Sequence, residues 1–428
     1  MTNRWVQTGL GIVCMIMMAN LQFGWTVFVE PLHERMGWTV AAIQWAFTIF
    51  VVVETWLVPF EALLVDRFGP RAVVTCGGAL AAAGWVIDGN AHALGGLYLG
   101  AVVSGLGVGM VYATCVPNTV RWFARHRGLA AGLTVAGFGA GAAITVTPLA
   151  ISVHDAGPFA TFTTFGLVQG LVTIGCGLFL VRPPRATPVA EQRRVRVLHG
   201  TRDVAPGETA RSPVFWTMYV IFTLVAAGGI TLSVASLGPI AAAFHVGKAP
   251  LHVAFWVLPV LLLTLQLNNV VGGIARPVLG WISDNVGREK TLAVAFAVEA
   301  LAVFAFGRYG RTPVSFVLLA ACVSFAWGEI YSIFPSLTRD HFGQRYAATN
   351  YGMLYTAKGL GSFLVPFAAT IVAMTKSWTT VVDIVVALDL IAAVLTIGLL
   401  LPLRKREIAH SRVRDPDLAT GIAEALPS

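Results

Sequence analysis

A chain of 428 residues that is 56% hydrophobic and only 12% charged is not an ordinary soluble protein, in which about a quarter of the residues are charged. Apolar segments of about twenty residues recur along its whole length, each long enough to cross a hydrocarbon core of about 30 Å at roughly 1.5 Å per residue. The net charge of +8 does not mark a nucleic-acid binder. The basic residues are spread over the ends of the apolar segments and form no aromatic-interleaved face, so the partner that composition implies is membrane lipid.

Twelve membrane spans are predicted, numbered one to twelve in chain order: 5–29, 41–65, 72–90, 95–120, 128–150, 159–181, 212–243, 250–282, 290–308, 312–337, 346–374 and 378–403. No small-residue cleavage site follows a short apolar run near Met1, so the first span reads as a retained helix and not as a signal peptide. Of the 29 Lys and Arg residues, 22 fall on the side of the N-terminus, five on the opposite side and two inside spans. By the positive-inside rule both termini are cytoplasmic.

The spans divide into a six-helix bundle over 1–181 and a second over 212–403, joined by a Pro/Arg-rich linker over 182–211 and followed by a tail over 404–428. The densest basic run, RVRVLHGTR, lies in the linker and reads as a solvated or lipid-touching loop. Cys14, Cys76, Cys115, Cys176 and Cys322 lie inside apolar spans without metal-ligand spacing. They read as small buried packing residues, with no disulfide, metal or cofactor implied.

The loop after span two, ALLVDRFGPR, returns after span eight as GWISDNVGREK, with Asp66 and Asp284 separated by 218 positions. Arg127 and Arg345, and Pro148 and Pro366, keep that offset. The chain is therefore two related halves, an arrangement that in transporters places a midplane site between parallel repeats. The paired loops resemble the signature of the major facilitator superfamily, apart from Ala62 where the opening glycine of the first copy belongs. Asp66, Gly69 and Arg71, and in the second copy Asp284, Gly287 and Arg288, read as conformational latches: carboxylates at helix ends, arginines to pair with them, and glycines for tight turns. The plainer reading is a purely topological basic loop, which the recurrence counts against.

Two cations lie inside spans. Arg276 is eight residues before Asp284, roughly 12 Å from the inner end, and Lys358 is twelve after Tyr346, roughly 18 Å from it. Gln266, Asn269, Gly273, Arg276 and Gly280 share one stripe of span eight, and Tyr351, Tyr355, Lys358 and Ser362 one stripe of span eleven. The positions 218 earlier are Val58 and Ala140, so charge was placed on one half only. The other half offers Gln22, Tyr112, Phe23 and Phe138. Trp327 and Tyr331, an i, i+4 pair on span ten, could join Tyr112 and Tyr355 in walling a narrow cavity, although packing serves each ring equally well.

Intramembrane charge is costly and tends to serve function. An arginine fork and a lysine point charge suit the two carboxylates of a small dianion, and an empty site with two like charges resists closure, which favours obligatory exchange. The alternative is internal ion pairing of the cations with Glu54, Glu299 or Glu329.

The stretches AAIQWAFT, VDRFGPR, NTVRWF, RGLAAG, ARPVLGWISDNVGR, WGEIYSIFPS and NYGMLYTAKG resemble the bacterial oxalate:formate antiporter family of the major facilitator superfamily, over nearly all twelve spans. The resemblance implies an all-α integral membrane protein of twelve transmembrane helices in two pseudo-symmetric six-helix bundles, monomeric, in a bacterial inner membrane, and not an enzyme. It implies oxalate import against formate made by intracellular decarboxylation, with Arg276 and Lys358 as the substrate cations and Tyr112, Trp327, Tyr331 and Tyr355 as aromatic members. Phe23, Phe138 and Tyr355 depart from the family's aromatics, and Glu54 replaces a neutral amide. Extra carboxyls keep a second function in view, a proton-coupled monocarboxylate symporter of the same fold with Glu54 or Glu329 titrating.

Overall fold

The computed structural model describes residues 3–123, 127–182, 203–253, 256–343 and 345–414; most of the predicted linker and the tail beyond 414 lie outside the described residues. A helix occupies most or all of each of the twelve predicted spans, and ten of the helices among the described residues are long and apolar enough to cross a membrane. The remaining two spans have local reasons to fall short. Span two is interrupted after the 17-residue helix Val40–Trp56, and span eight carries Gln266, Asn268, Asn269 and Arg276 on its helix Val260–Val286.

Helix starts follow the local sequence. Thr39 and Ser212 accept hydrogen bonds from the first-turn amides of their helices, at 3.2 Å from Ala42 N and 3.1 Å from Val214 N. Thr312 forms a capping box with Ser315, and proline follows directly at 213 and 313, where its missing N–H costs nothing.

Span eight starts later than predicted. Residues Pro250–Val253 and Trp256–Pro259 form a two-stranded antiparallel ribbon, with Pro250 opposite Pro259, and the helix begins at Val260. Proline bounds the ribbon at both ends, and the helix of 27 residues, about 40 Å long, crosses the membrane without it. The apolar run that extended the prediction is strand.

Several spans are broken near their middles. Span one passes from the helix Arg4–Phe23 to Thr26–Met36 across Gly24, and span seven passes through a π-turn at Ile230–Ala235. Span ten breaks between Trp327 and Ile330, and span eleven between Gly361 and Leu364. Span two breaks at Leu57, just before Pro59, which has no N–H for the carbonyl of Thr55. Likewise Pro366 cannot bond the Ser362 carbonyl, which instead accepts from Thr48 Oγ1 of span two at 2.9 Å. Broken backbone at membrane depth is tolerated where such partners re-satisfy it.

The halves meet where spans five and eight cross and where spans two and eleven cross. The repeat shows in the backbone too: Gly69 (φ 86°) and Gly287 (φ 111°), 218 apart, both take the left-handed region at the ends of spans two and eight, where a Cβ would be strained. Cys76 and Cys322 correct the expectation of buried thiols. Both are exposed, on outer helix faces where hydrocarbon accommodates a weakly polar thiol as well as a core does.

Candidate functional site

Lys358 lies one turn before the break in span eleven, and Glu54 lies one turn before the break in span two. Where these helices cross, Lys358 Nζ donates to Glu54 Oε2 at 2.9 Å and Oε1 at 3.1 Å, to Gln22 Oε1 at 2.9 Å, and to Tyr355 OH at 3.2 Å. Lys358, Glu54 and Gln22 are buried. A lysine with three proton positions and four oxygens around it is fully partnered. The ion pair that the sequence left open is thus formed, with Glu54 and for Lys358.

Arg276 is placed differently. Its Nη1 donates to the Val135 carbonyl of span five at 3.1 Å, and its guanidinium lies 5.1 Å from the centre of the Tyr331 ring. Gly139 allows this approach, since a Cβ there would stand 2.9 Å from Nη1. Its Nε is buried with no hydrogen-bond partner, and no carboxylate lies within ion-pairing distance among the described residues. Removing a charge from water without such compensation is expensive unless a ligand supplies it.

A cavity of about 30 Å³ lies against Arg276, lined by Phe23 and Gly139 of the first half and by Ser233, Asn268, Ser324 and Trp327 of the second. That is room for about two water molecules. Trp327 Nε1, Ser233 Oγ and both polar atoms of the Asn268 amide are buried there without hydrogen-bond partners. Trp327 Nε1, Ser233 Oγ, Asn268 Nδ2 and Arg276 Nε are donors waiting for acceptors, the complement of a carboxylate, while Asn268 Oδ1 is an acceptor.

The predicted aromatic residues form one continuous wall. Trp327 meets Tyr331 edge-on at 5.3 Å, Tyr331 meets Tyr355 at 6.5 Å, and Tyr355 stacks on Tyr112 at 5.6 Å with planes 7° apart. Tyr112 continues to Phe138 at 5.6 Å, and Phe138 to Phe23 at 5.5 Å. Lys358 and Arg276 lie against the neighbouring rings of Tyr355 and Tyr331. All seven residues predicted to bind substrate therefore gather at the seam, but the two cations do not present equivalent charges.

At the end bearing the termini, Arg288 binds Asp284 at 2.7 Å, Asp340 at 3.0 Å and Ser283 Oγ at 2.6 Å, tying spans eight, nine and ten. The matching loop of the first half is arranged otherwise. Arg71 is exposed, while Arg182 Nη2 donates to the Val65 carbonyl at 2.6 Å beside Gly69; the Asp66 side chain lies outside the described residues. The other carboxyls, Glu299 and Glu329, are buried with no hydrogen-bond partner, within electrostatic reach of Asp389 and of each other, and among the described residues neither is ion-paired with Arg276 or Lys358.

Residues of this site that the sequence did not single out are Asn268, Ser233 and Ser324, while Glu54 stood there only as a possible counterion or titrating group and not as a substrate residue. Glu54 carried a signal, a carboxyl in an apolar span. Asn268 had a partial one, its neighbour Asn269 on the polar stripe, but Asn269 Nδ2 bonds its own helix at Leu265 O, 2.9 Å, and Gln266 ties across to Thr147 at 2.6 Å. Ser233 and Ser324 lie in apolar runs and carried none.

The Major Facilitator Superfamily model matches residues 10–366 and 270–416. The chain is 33% identical over 380 residues to the oxalate:formate antiporter of Oxalobacter formigenes, covering 88% of this chain and 87% of that protein. It is 26% identical over 328 residues to monocarboxylate transporter 13 of Bos taurus, covering 76% and 72%, and 26% identical over 363 residues to monocarboxylate transporter 11 of Homo sapiens, covering 78% and 69%.

Proposed function

The chain belongs to the major facilitator superfamily, and we propose that it is an antiporter importing oxalate, a small dicarboxylate, in exchange for intracellular formate by alternating access. The observation that carries this reading is the cavity at Arg276, where a guanidinium and three neighbouring side chains hold unpartnered donors at the seam between the halves. The relative named for oxalate:formate exchange points to the same cargo. Units 1–181 and 212–403 rock about this seam, with the linker 182–211, the tail 404–428 and both termini in the cytoplasm of a bacterium, as a monomer in the inner membrane.

The cavity as it stands is smaller than oxalate, so the halves must part to admit it; Lys358 is then the second carboxylate's partner once Glu54 lets go. Proteoliposomes loaded with formate are expected to take up labelled oxalate, and empty ones are not. Uptake into empty vesicles that follows a pH gradient overturns the antiport.

One observation favours a second reading, proton-coupled symport of a monocarboxylate. With Lys358 neutralised by Glu54, the site has a single uncompensated cation, Arg276, which is enough for one carboxylate and no more. The relatives named as monocarboxylate transporters are compatible with that cargo.

A further inference from the structure

Counting charge at the seam separates dianion from monoanion. Arg276 and Lys358 contribute two positive charges and Glu54 one negative, so a monoanion beside Arg276 brings the loaded site to zero. A dianion does so only if Glu54 first takes a proton, which also releases Lys358 Nζ from the oxygens at 2.9 and 3.1 Å. Glu54 occupies on Lys358 the place that the second carboxylate of a dianion would take.

We propose that Glu54 is the specificity-determining and proton-carrying residue of this site, so that a dianion crosses with one proton, a monoanion crosses alone, and their exchange is electroneutral. The proposal rests on the carboxylate-exchange reading above. The balance closes: two negative charges and one proton enter, one negative charge leaves, and the proton rides as the Glu54 acid O–H while the dianion sits on both cations. An empty site keeps one uncompensated positive charge, which disfavours closing the halves around nothing.

The surroundings of Glu54 suit such a role. Gln22 of span one and Tyr355 of span eleven share Lys358 with it and can hold the amine when Glu54 is neutral. Tyr112 of span four, Tyr331 of span ten and Glu61 of its own span lie within electrostatic reach, and Arg276 of span eight acts on Lys358. Among these, only Lys358 is ion-paired with it.

The test uses formate-loaded proteoliposomes of the full chain, labelled oxalate outside, a trapped pH dye and an imposed potassium diffusion potential. The wild type is expected to carry about one proton inward per oxalate and to ignore the potential. Glu54→Gln, whose formate-loaded site keeps one positive charge, is expected to exchange more slowly than the wild type, without proton movement, and to respond to an inside-positive potential, with oxalate accumulation raised about fifty-fold at about 100 mV for the one net charge now moved. Wild-type exchange that is potential-driven and proton-free overturns the role of Glu54, as does a variant indistinguishable from wild type. If the variant does not insert, the wild-type stoichiometry and potential response decide by themselves. Absence of any oxalate or formate transport in the wild type overturns the underlying carboxylate reading and the proposal with it.

Discussion

The seam contains two crossings related by the repeat, span two on span eleven and span five on span eight. Their backbones correspond closely: Val58, 218 positions before Arg276, lies against Gly352 of span eleven, and Ala140, 218 before Lys358, lies against Gly273 of span eight. Their chemistry does not correspond. At one crossing a cation meets a carboxylate from the other half, Lys358 on Glu54; at the other a cation meets only a backbone carbonyl, Arg276 on Val135. The difference teaches that a transporter of this kind can hold one charge in reserve and leave the other exposed to cargo. On the proposed reading the compensated crossing is held together at rest, and the uncompensated one is left for the anion.

The largest effect that would break this contrast is expected from Lys358→Gln. It leaves Glu54 buried opposite a neutral amide, and losing one partner of a buried pair costs about 3–5 kcal/mol. The variant should be poorly retained in detergent and inactive, while Glu54→Gln with Lys358→Gln should recover most of the thermal stability without recovering oxalate exchange. A single variant that melts with the wild type would mean that the pair carries no stability.

Arg276→Gln should separate the two properties in the opposite sense. The arginine has no carboxylate partner to strand, so melting should move little. Exchange should fall by about a hundredfold or more, since a charge-assisted hydrogen bond and its Coulomb attraction are lost together. The measurement is labelled oxalate exchange at matched protein density. Near wild-type rates would place the anion elsewhere.

Much of this arrangement was legible before any coordinates. Apolar length located the spans, and the 218-residue offset located the halves. An arginine and a lysine in apolar runs, each on a stripe of polar or aromatic residues, pointed to the candidate site because charge at membrane depth is costly. The Glu54–Lys358 pair, 304 positions apart, stood in the sequence as one of several possible pairings. Which carboxyl reaches the lysine depends on the azimuth of span two next to its break at Leu57, and periodicity within one helix cannot supply that. Glu299 and Glu329 stood beside Glu54 in the sequence as possible partners, yet in the structure neither is ion-paired with Lys358 or Arg276. The ribbon at 250–259 was misread for a related reason: a run of apolar residues reports burial, and a strand bounded by prolines satisfies it as well as a helix does.

The smallest expected effect is at Asn268, and it sharpens the contrast within the uncompensated crossing. Asn268 and Asn269 are adjacent and differ by about 100° around span eight; the stripe read from the sequence takes in Asn269, and both residues line the cavity. Asn269 spends its amide on Leu265 O, whereas both polar atoms of Asn268 stand unpartnered at the cavity. A hydrogen bond to a charged cargo contributes about 1.5–3 kcal/mol. Asn268→Ala should therefore raise the half-saturating oxalate concentration by about tenfold to a hundredfold, and Asn269→Ala should leave it within about twofold. Because neither amide is needed to neutralise Arg276, the exchange rate at saturation should hold in both variants. Equal effects from the two substitutions, read from oxalate concentration series in the same vesicles, would mean that the stripe acts through packing and that Arg276 alone recognises the anion.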